Sequence, residues 1–366
     1  MIFLLCFNPL IEYLGQMKDR LGYDLNGTRI ITTPYADDFN LITNNKVQHQ
    51  KIIDQLHSYT ASMGLKLKPS KCCSLSICGG VPKEIDYSIG SERIRSIKEK
   101  SHKFLGSHIC FSGKPAEVCE FVHNEIMVKM QRIEETCVRP EFKVAIYSRY
   151  LLNSIRFLLT VHTLQKTHLD KLDVMTDKYL KKWLGVPARG ANIAIVHLPH
   201  GLNIPSLSDI YRQSQSLAFT RSRVKADSVV NQAIDSAIER ESNWARKQST
   251  VVNCNVTHGK VENLVNVQTS SWNAVKKMVK QVIEEDTVKY WTDRVAPLLV
   301  QGKFTSLLLL ENENLTWKSI MYNLPKRVLS FIINACIDSL PSYTNLHTWG
   351  KRLSDKCVFC PGACFF

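Results

Sequence analysis

No stretch of this 366-residue chain approaches the roughly twenty consecutive apolar residues that a membrane-spanning helix needs. The nearest thing to a leader, Met1–Ile11, has no basic residue ahead of its apolar run. The run is broken at Asn8-Pro9, and no small-x-small cleavage site follows, so secretion is not expected. The twelve cysteines show no paired framework: Cys72 and Cys73 are adjacent and most others are scattered, as in an intracellular protein with reduced thiols. His162, His168, His197, His200 and His258 have no partner at ligand spacing and read as surface or packed side chains rather than metal ligands. Acidic residues are in deficit, with 33 Asp and Glu against 47 Lys and Arg, for a net charge of +14. That surplus agrees with a polyanionic partner and does not prove one.

What the chain does contain is Tyr35-Ala36-Asp37-Asp38, set between two extended-type runs, Arg29–Thr33 and Phe39–Thr43. Strand, acidic turn, strand is an arrangement that pushes two carboxylates out of a sheet into solvent. Nucleotide polymerisation needs carboxylates held in that way. Two Mg²⁺ ions about 3.5–4 Å apart clamp the attacking and leaving oxygens, and hard oxygen ligands suit them. Acidic β-turns are also common as plain solvated loops, so the flanks decide.

Downstream, Ile52, Ile53, Leu56, Tyr59 and Met63 recur at helical spacing and Gly64 ends the pattern. Leu65–Cys72 reads as a short strand and turn, and His102–Ile109, with Phe104-Leu105-Gly106 at its centre, as a tight hairpin. This order resembles the palm of reverse transcriptases, with its Y-x-D-D hairpin, helix, G-L-x-x-x-x-x-K turn and F/Y-L-G primer grip. The non-LTR (LINE-type) retrotransposon branch fits best. The resemblance implies RNA-directed DNA synthesis on an RNA template and RNA–DNA duplex. Asp37 would ligate Mg²⁺, with Asp38 assisting electrostatically. Tyr35 would support the primer terminus, Lys71 would lie near the incoming triphosphate, and Leu105 and Gly106 would form the primer grip. Leu4–Ile11 looks like the tail of the family's motif B, so the fingers and the motif A aspartate are expected to be absent. The chain alone is then not expected to polymerise. Pro34 departs from the pattern: proline cannot donate to a ladder, so this strand is either an edge or distorted.

An α+β architecture follows, in four parts. Residues 1–112 form a partial palm, an antiparallel sheet with helices. Residues 113–190 form a thumb of three amphipathic helices, striped by Val118, Val122, Ile126 and Met130, then Val144, Tyr147, Leu151, Ile155 and Leu158, then Leu169, Leu172, Met175, Tyr179 and Trp183. The third is expected to stop at Gly185 and Pro187. Residues 191–340 are a mostly helical post-thumb region. It has an N-capped helix starting near Ser206, a polar linker over 241–270, and helices over Trp272–Asp293, Leu315–Asn323 and Lys326–Asp338. Residues 341–366 carry Cys357-Val358-Phe359-Cys360, half of a zinc knuckle, with only Cys364 as a third ligand; Zn²⁺ is therefore not expected here. Between Arg93 and Arg189 there are 18 basic and 10 acidic residues, so this quarter of the chain, which follows the expected primer grip, carries +8 of the surplus. That strip leaves a second reading open, a non-catalytic nucleic-acid-binding remnant. A relic without function is a third.

Overall fold

The computed structural model describes residues 2–25, 27–35, 38–100, 102–112, 115–162, 164–188, 193–198, 201–225, 272–298 and 323–356. Asp37, His200, His258, Cys357, Cys360, Cys364, the 241–270 linker and, but for its last residue, the helix expected over Leu315–Asn323 lie outside them. The chain divides into two units, Met1–Val118 with Ser222–Gln248, and Cys119–Arg221 with Ser249–Phe366.

The first unit opens with helices α1 (Ile2–Gln16) and α2 (Lys18–Leu21). Strands β1 (Tyr23–Leu25), β2 (Thr28–Ile30), β3 (Thr32–Tyr35) and β4 (Asp38–Leu41) follow, then helix α3 (Lys46–Ser62) and a 3₁₀ turn (Pro69–Lys71). After these come β5 (Cys73–Ser74), β6 (Ser76–Cys78), β7 (Val81–Lys83), β8 (Tyr87–Ile89), β9 (Glu92–Ser96), β10 (His102–Phe104) and β11 (Ser107–Ile109). Pairs β1–β2, β3–β4, β6–β7 and β10–β11 are separate antiparallel hairpins, and β5, β9 and β8 form a three-stranded sheet. This is the expected α+β palm, with one refinement: β5 runs parallel to β9.

Helix α3 organises this unit. Asn45 caps it, its side chain accepting from Gln48 N at 2.9 Å. Ile52 and Leu56 join Leu10, Leu14, Met17, Leu21 and Ile31, with Phe39 and Leu41 of the β3–β4 hairpin packed against them. Ile53, one position on, enters a second core with Tyr87, Ile89 and Ile94. One helix therefore serves two cores from adjacent edges of its apolar face. The extended run Arg29–Thr33 is not a single strand. Ile31 is buried between β2 and β3, and its carbonyl accepts from Ile42 N at 2.8 Å while the ladder changes partner. Nor is Leu65–Lys68 a strand. Its leucines are half-buried and its lysines exposed, as in a strand, yet no strand pairs with it.

Gly22 joins three pieces of this unit. Its carbonyl accepts from Asn44 Nδ2 at 3.2 Å and Arg29 Nη1 at 3.4 Å, and it bridges to Thr43. A Cβ here would lie 2.5 Å from Lys18 O and 2.9 Å from Ile30 O, both backbone atoms with nowhere to go. Gly22→Ala is expected to destabilise the chain by about 1–3 kcal/mol, measured as a lower urea midpoint.

In the second unit the described helices are α4 (Pro115–Glu135), α5 (Pro140–Ile146), α6 (Leu152–Val161), α7 (Lys166–Leu184), α8 (Ala194–His197), α9 (Leu207–Lys225), α10 (Trp272–Val295), α11 (Lys326–Cys336) and α12 (Tyr343–Thr348). The first expected stripe lies on α4. The second spans α5, a π-helical turn at Tyr147–Leu151, and α6, and all five of its residues are buried. On α7 the buried line runs through Leu169, Leu172, Thr176, Leu180 and Trp183, leaving Met175 and Tyr179 half-buried. Thr176 is tolerated there because its hydroxyl donates back to the Leu172 and Asp173 carbonyls at 3.2 and 3.0 Å.

Helix α7 ends at Gly185, whose φ of 70° is left-handed. The Gly185 carbonyl accepts from Ser330 Oγ at 3.1 Å and Asn334 Nδ2 at 3.0 Å, both on α11. A Cβ on Gly185 would meet Ser330 Oγ at 2.6 Å. No helix among the described residues is long and apolar enough to cross a membrane.

The start of α9 is held by carboxylates. Asp209 and Ser206 form a reciprocal capping pair: Asp209 N donates to Ser206 Oγ at 3.0 Å and Ser206 N to Asp209 Oδ2 at 3.3 Å. Asp173 of α7 accepts from Leu207 N at 2.7 Å and Ser208 N at 3.3 Å, and also meets the Ser208 hydroxyl. Burial pushes the Asp173 carboxyl up to about 7, against the pull of Ser208 and His197. His197 is buried with Nδ1 2.7 Å from the Ile204 carbonyl and Nε2 3.2 Å from Asp177 Oδ1. Burial lowers its pKa, but the Asp177 hydrogen bond and charge outweigh that and leave it raised. It stacks on Trp291 of α10 at 4.9 Å.

Both shifts carry the same sign. A carboxyl with a folded value of about 7 against about 4 unfolded stabilises the fold below pH 4 and loses that contribution as pH rises through 7. His197, raised above 6.5, gives up its contribution as pH passes its folded value. The urea midpoint should therefore fall as pH rises from about 4 through 7. Asp173→Asn keeps an acceptor for both N–H groups and should flatten that fall; an unchanged pH profile would show that Asp173 is ionised throughout.

Candidate active-site hairpins

Thr32, Thr33 and Tyr35 favour extended backbone, and the β3–β4 register runs Thr32↔Leu41, Thr33↔Asn40, Pro34↔Phe39, Tyr35↔Asp38. Asn40 Nδ2 donates across it to Thr33 Oγ1 at 3.3 Å. Tyr35 and Asp38 are the last described pair of the hairpin; Ala36 and Asp37 lie outside the described residues. Phe39 and Leu41 face the core, and alternation puts Asp38 on the other face, exposed. Tyr35 is 65% exposed. Pro34 sits in an edge strand: the described β3–β4 sheet has two strands, and the register passes through Pro34 without a break.

The second hairpin pairs His102↔Ile109, Lys103↔His108 and Phe104↔Ser107. Leu105 and Gly106 turn it at φ 48° and 84°, the sign pattern of a type I′ turn. For leucine that conformation costs roughly 1–2 kcal/mol, and its side chain is left exposed. Lys71 ends the 3₁₀ turn before β5. Its ammonium is exposed and forms no hydrogen bond or ion pair with either hairpin.

The structure brings one pair of elements in this region together. His102, the first residue of β10, lies within electrostatic range of Asp38 and of His108. Arg95 of β9 is 3.3 Å away through Nη2 to His102 Nδ1. Burial and the Arg95 guanidinium lower the His102 pKa, with Asp38 pulling the other way. Sequence reasoning missed both residues: within Glu92–Ser96 an arginine alternates with apolar Ile94 like any surface charge on a strand. Among the described residues no group of three or more His, Cys, Asp or Glu side chains is placed to hold a metal ion. The donor of that kind described here is the Asp38 carboxylate, a hard oxygen ligand of the sort Mg²⁺ takes.

Residues 1–109 match the family described as reverse transcriptase (RNA-dependent DNA polymerase). The chain is 26% identical over 217 residues to the retrovirus-related Pol polyprotein from type-2 retrotransposable element R2DM of Drosophila melanogaster. That match covers 55% of this chain and 20% of the relative. It is 23% identical over 234 residues to the Pol polyprotein from type-1 retrotransposable element R2 of Nasonia vitripennis, covering 61% and 22%. Together these matches support a reverse transcriptase of the non-LTR retrotransposon kind. Its matched part spans about a fifth of the length of these R2 relatives. Reverse transcriptases as a family use a divalent metal and a nucleic-acid template.

The exposed leucine at the tip of the β10–β11 hairpin gives a direct test of backbone strain. Leu105→Gly is expected to raise stability by about 1 kcal/mol, because glycine takes the left-handed conformation freely. An unchanged or lower denaturation midpoint would show that the Leu105 side chain is packed rather than held out.

Proposed function

We propose that this chain takes part in RNA-templated DNA synthesis, with the β3–β4 turn as its metal-bearing element. The observation that carries the reading is the β3–β4 hairpin itself, in which Tyr35 pairs with Asp38 and the Asp38 carboxylate is left exposed. In this reading Asp37 ligates Mg²⁺ and Asp38 acts electrostatically from one position on. Tyr35 supports the primer terminus, and Leu105 with Gly106 grips the primer strand. A strained backbone that holds an apolar side chain in solvent is the kind of cost kept for contact with a ligand. Lys71 is assigned to the incoming triphosphate on the resemblance alone. The bound Mg²⁺ would polarise the attacking and leaving oxygens.

The hairpin supplies two neighbouring carboxylates, and a two-ion clamp needs a further one from another strand. No nucleotide incorporation is therefore expected from this polypeptide by itself. Mixing it with a separately expressed fingers-and-first-palm polypeptide of a related element should produce Mg²⁺-dependent primer extension. Asp37→Asn should abolish that extension, and Asp38→Asn should reduce it less. Extension that survives Asp37→Asn would overturn the site assignment.

Duplex binding by the basic strip is the second part of the proposal, and the cations of α7 are not equivalent in it. Lys182 is paired with Glu134, which also accepts from Trp183 Nε1 at 2.6 Å, and Lys181 is half-buried near Asp177. Lys171 and Lys178, seven residues apart and exposed, share one face. Reversing both to Glu should lower the log–log salt slope of RNA–DNA duplex binding by about 2. Lys182→Glu should instead lower stability, because it sets two carboxylates together. A salt slope unchanged in the double variant would make Lys171 and Lys178 ordinary solvated surface.

A further inference from the structure

The β3–β4 and β10–β11 hairpins share no backbone ladder among the described residues, since each forms a two-stranded sheet of its own. Side-chain contacts can therefore bear on their spacing. The structure offers one connected set at that place. Arg95 lies on β9, whose backbone pairs with Cys73 of β5 on one side and with β8 on the other, so its Cα belongs to the three-stranded sheet. Its Nη2 meets His102 Nδ1 at 3.3 Å, and the His102 ring lies within electrostatic range of Asp38 on β4. Arg95 therefore ties the sheet to the second hairpin at a residue within electrostatic range of Asp38 on the first.

The chemistry of that contact is directional. A guanidinium can only donate, so His102 Nδ1 must be the acceptor, and a ring that accepts at Nδ1 carries its proton on Nε2. His102 is held by Arg95 as the neutral Nε2–H tautomer, with its donor on the side away from the guanidinium. Arg95 Nε is buried without a partner, so the side chain is committed to this geometry rather than to a carboxylate. An arginine that spends itself on a neutral imidazole contributes little as an ion pair. Its contribution is to fix where the ring sits and which nitrogen carries the proton.

We propose that Arg95 is a positioning residue: by locking the ring of His102 it sets the Leu105-Gly106 hairpin at a fixed distance from the Asp38 strand. This rests on the reading of those hairpins as the primer grip and the metal-bearing turn. The Arg95–His102 contact itself does not. Lysine at position 95 has a single point of donation and cannot reproduce the planar approach of the guanidinium.

Two measurements on the full chain test it. In the first, nitrogen-15 spectra of the labelled protein at pH 7.5 read the His102 tautomer, assigned with His102→Gln. Nε2–H with a bare Nδ1 is expected, changing to a tautomer mixture in Arg95→Met. A wild-type Nδ1–H tautomer, or one unmoved in Arg95→Met, overturns the inference. In the second, affinity is compared for an RNA–DNA duplex with a recessed primer 3′ end and for the same duplex with flush ends. Wild type should favour the recessed end roughly threefold to tenfold, the scale of one hydrogen-bond-sized alignment. Arg95→Met should lose that preference while flush-duplex affinity stays the same; Arg95→Lys should recover only part. Equal loss on both duplexes would mean a merely structural arginine and overturns the inference. A preference retained in Arg95→Met overturns it too, leaving the functional reading intact. If wild type shows no preference for a recessed end, the primer-site reading fails and takes the positioning role with it, and the tautomer measurement still decides the contact.

Discussion

Tyr35 stands directly opposite Asp38, and that single backbone pairing governs the first unit. It aligns Pro34 with Phe39, Thr33 with Asn40 and Thr32 with Leu41 along the whole ladder. It also fixes which side of the hairpin is wet. Phe39 and Leu41 reach the core that α1, α2 and α3 share, and Asp38 is left in solvent. A slip of one residue would bury Asp38 and expose Phe39, so the hydrophobic core and the exposed carboxylate enforce the same register. Pro34 is accommodated because β3 has no outer neighbour among the described strands to which it would owe a hydrogen bond.

The second unit is organised by polar groups instead. Helix α9 is gripped at its start by Asp173 and Asp209, and Asp209 also accepts from Thr287 of α10 at 3.0 Å. Eight residues past its first, Gln215 donates to the carbonyls of Leu159, Thr160 and His162, at 2.7, 3.0 and 3.2 Å, where α6 has run out of partners. Tyr211 Oη accepts from Leu164 N at 3.0 Å. One helix thus finishes the hydrogen bonding of the end of α6 and the link to α7. Such buried networks define one arrangement because any other leaves several groups unpaired. Surface pairs such as Arg93–Asp86 and Lys98–Glu84, well exposed on both sides, contribute little by comparison.

Much of this was legible in the sequence, for identifiable reasons. The hairpin at Tyr35–Asp38, the helix after it, the Leu105-Gly106 turn and the stop at Gly185 each have strong local chemistry: β-branched runs, periodic apolar residues, glycine at a left-handed turn. The Ser206–Asp209 cap was visible as a short-range pattern. What escaped was non-local or disguised. Leu65–Lys68 alternates like a strand, but pairing depends on a partner that no local pattern reveals. Thr176 is buried on α7 because its hydroxyl is satisfied within the helix, which an apolar stripe overlooks. The π turn at Tyr147–Leu151 shifts register by one residue inside an otherwise regular stripe. Arg95, His102, Asp173 and His197 carry nothing in their neighbourhood to distinguish them from surface charges. Their roles exist only once residues tens of positions apart have met.

The closure of α7 by α11 has a consequence in time. The carbonyl of Gly185 takes its side-chain donor from Ser330, 145 residues further along the chain. On a ribosome adding about 5–20 residues per second, that donor arrives roughly 7–30 s after the helix it completes. During that interval the end of α7 is solvated and the apolar side of α11 does not yet exist. Helix α7 must therefore be able to persist with one end unfinished, and a stall in translation between these two points would hold the nascent chain in that half-closed state.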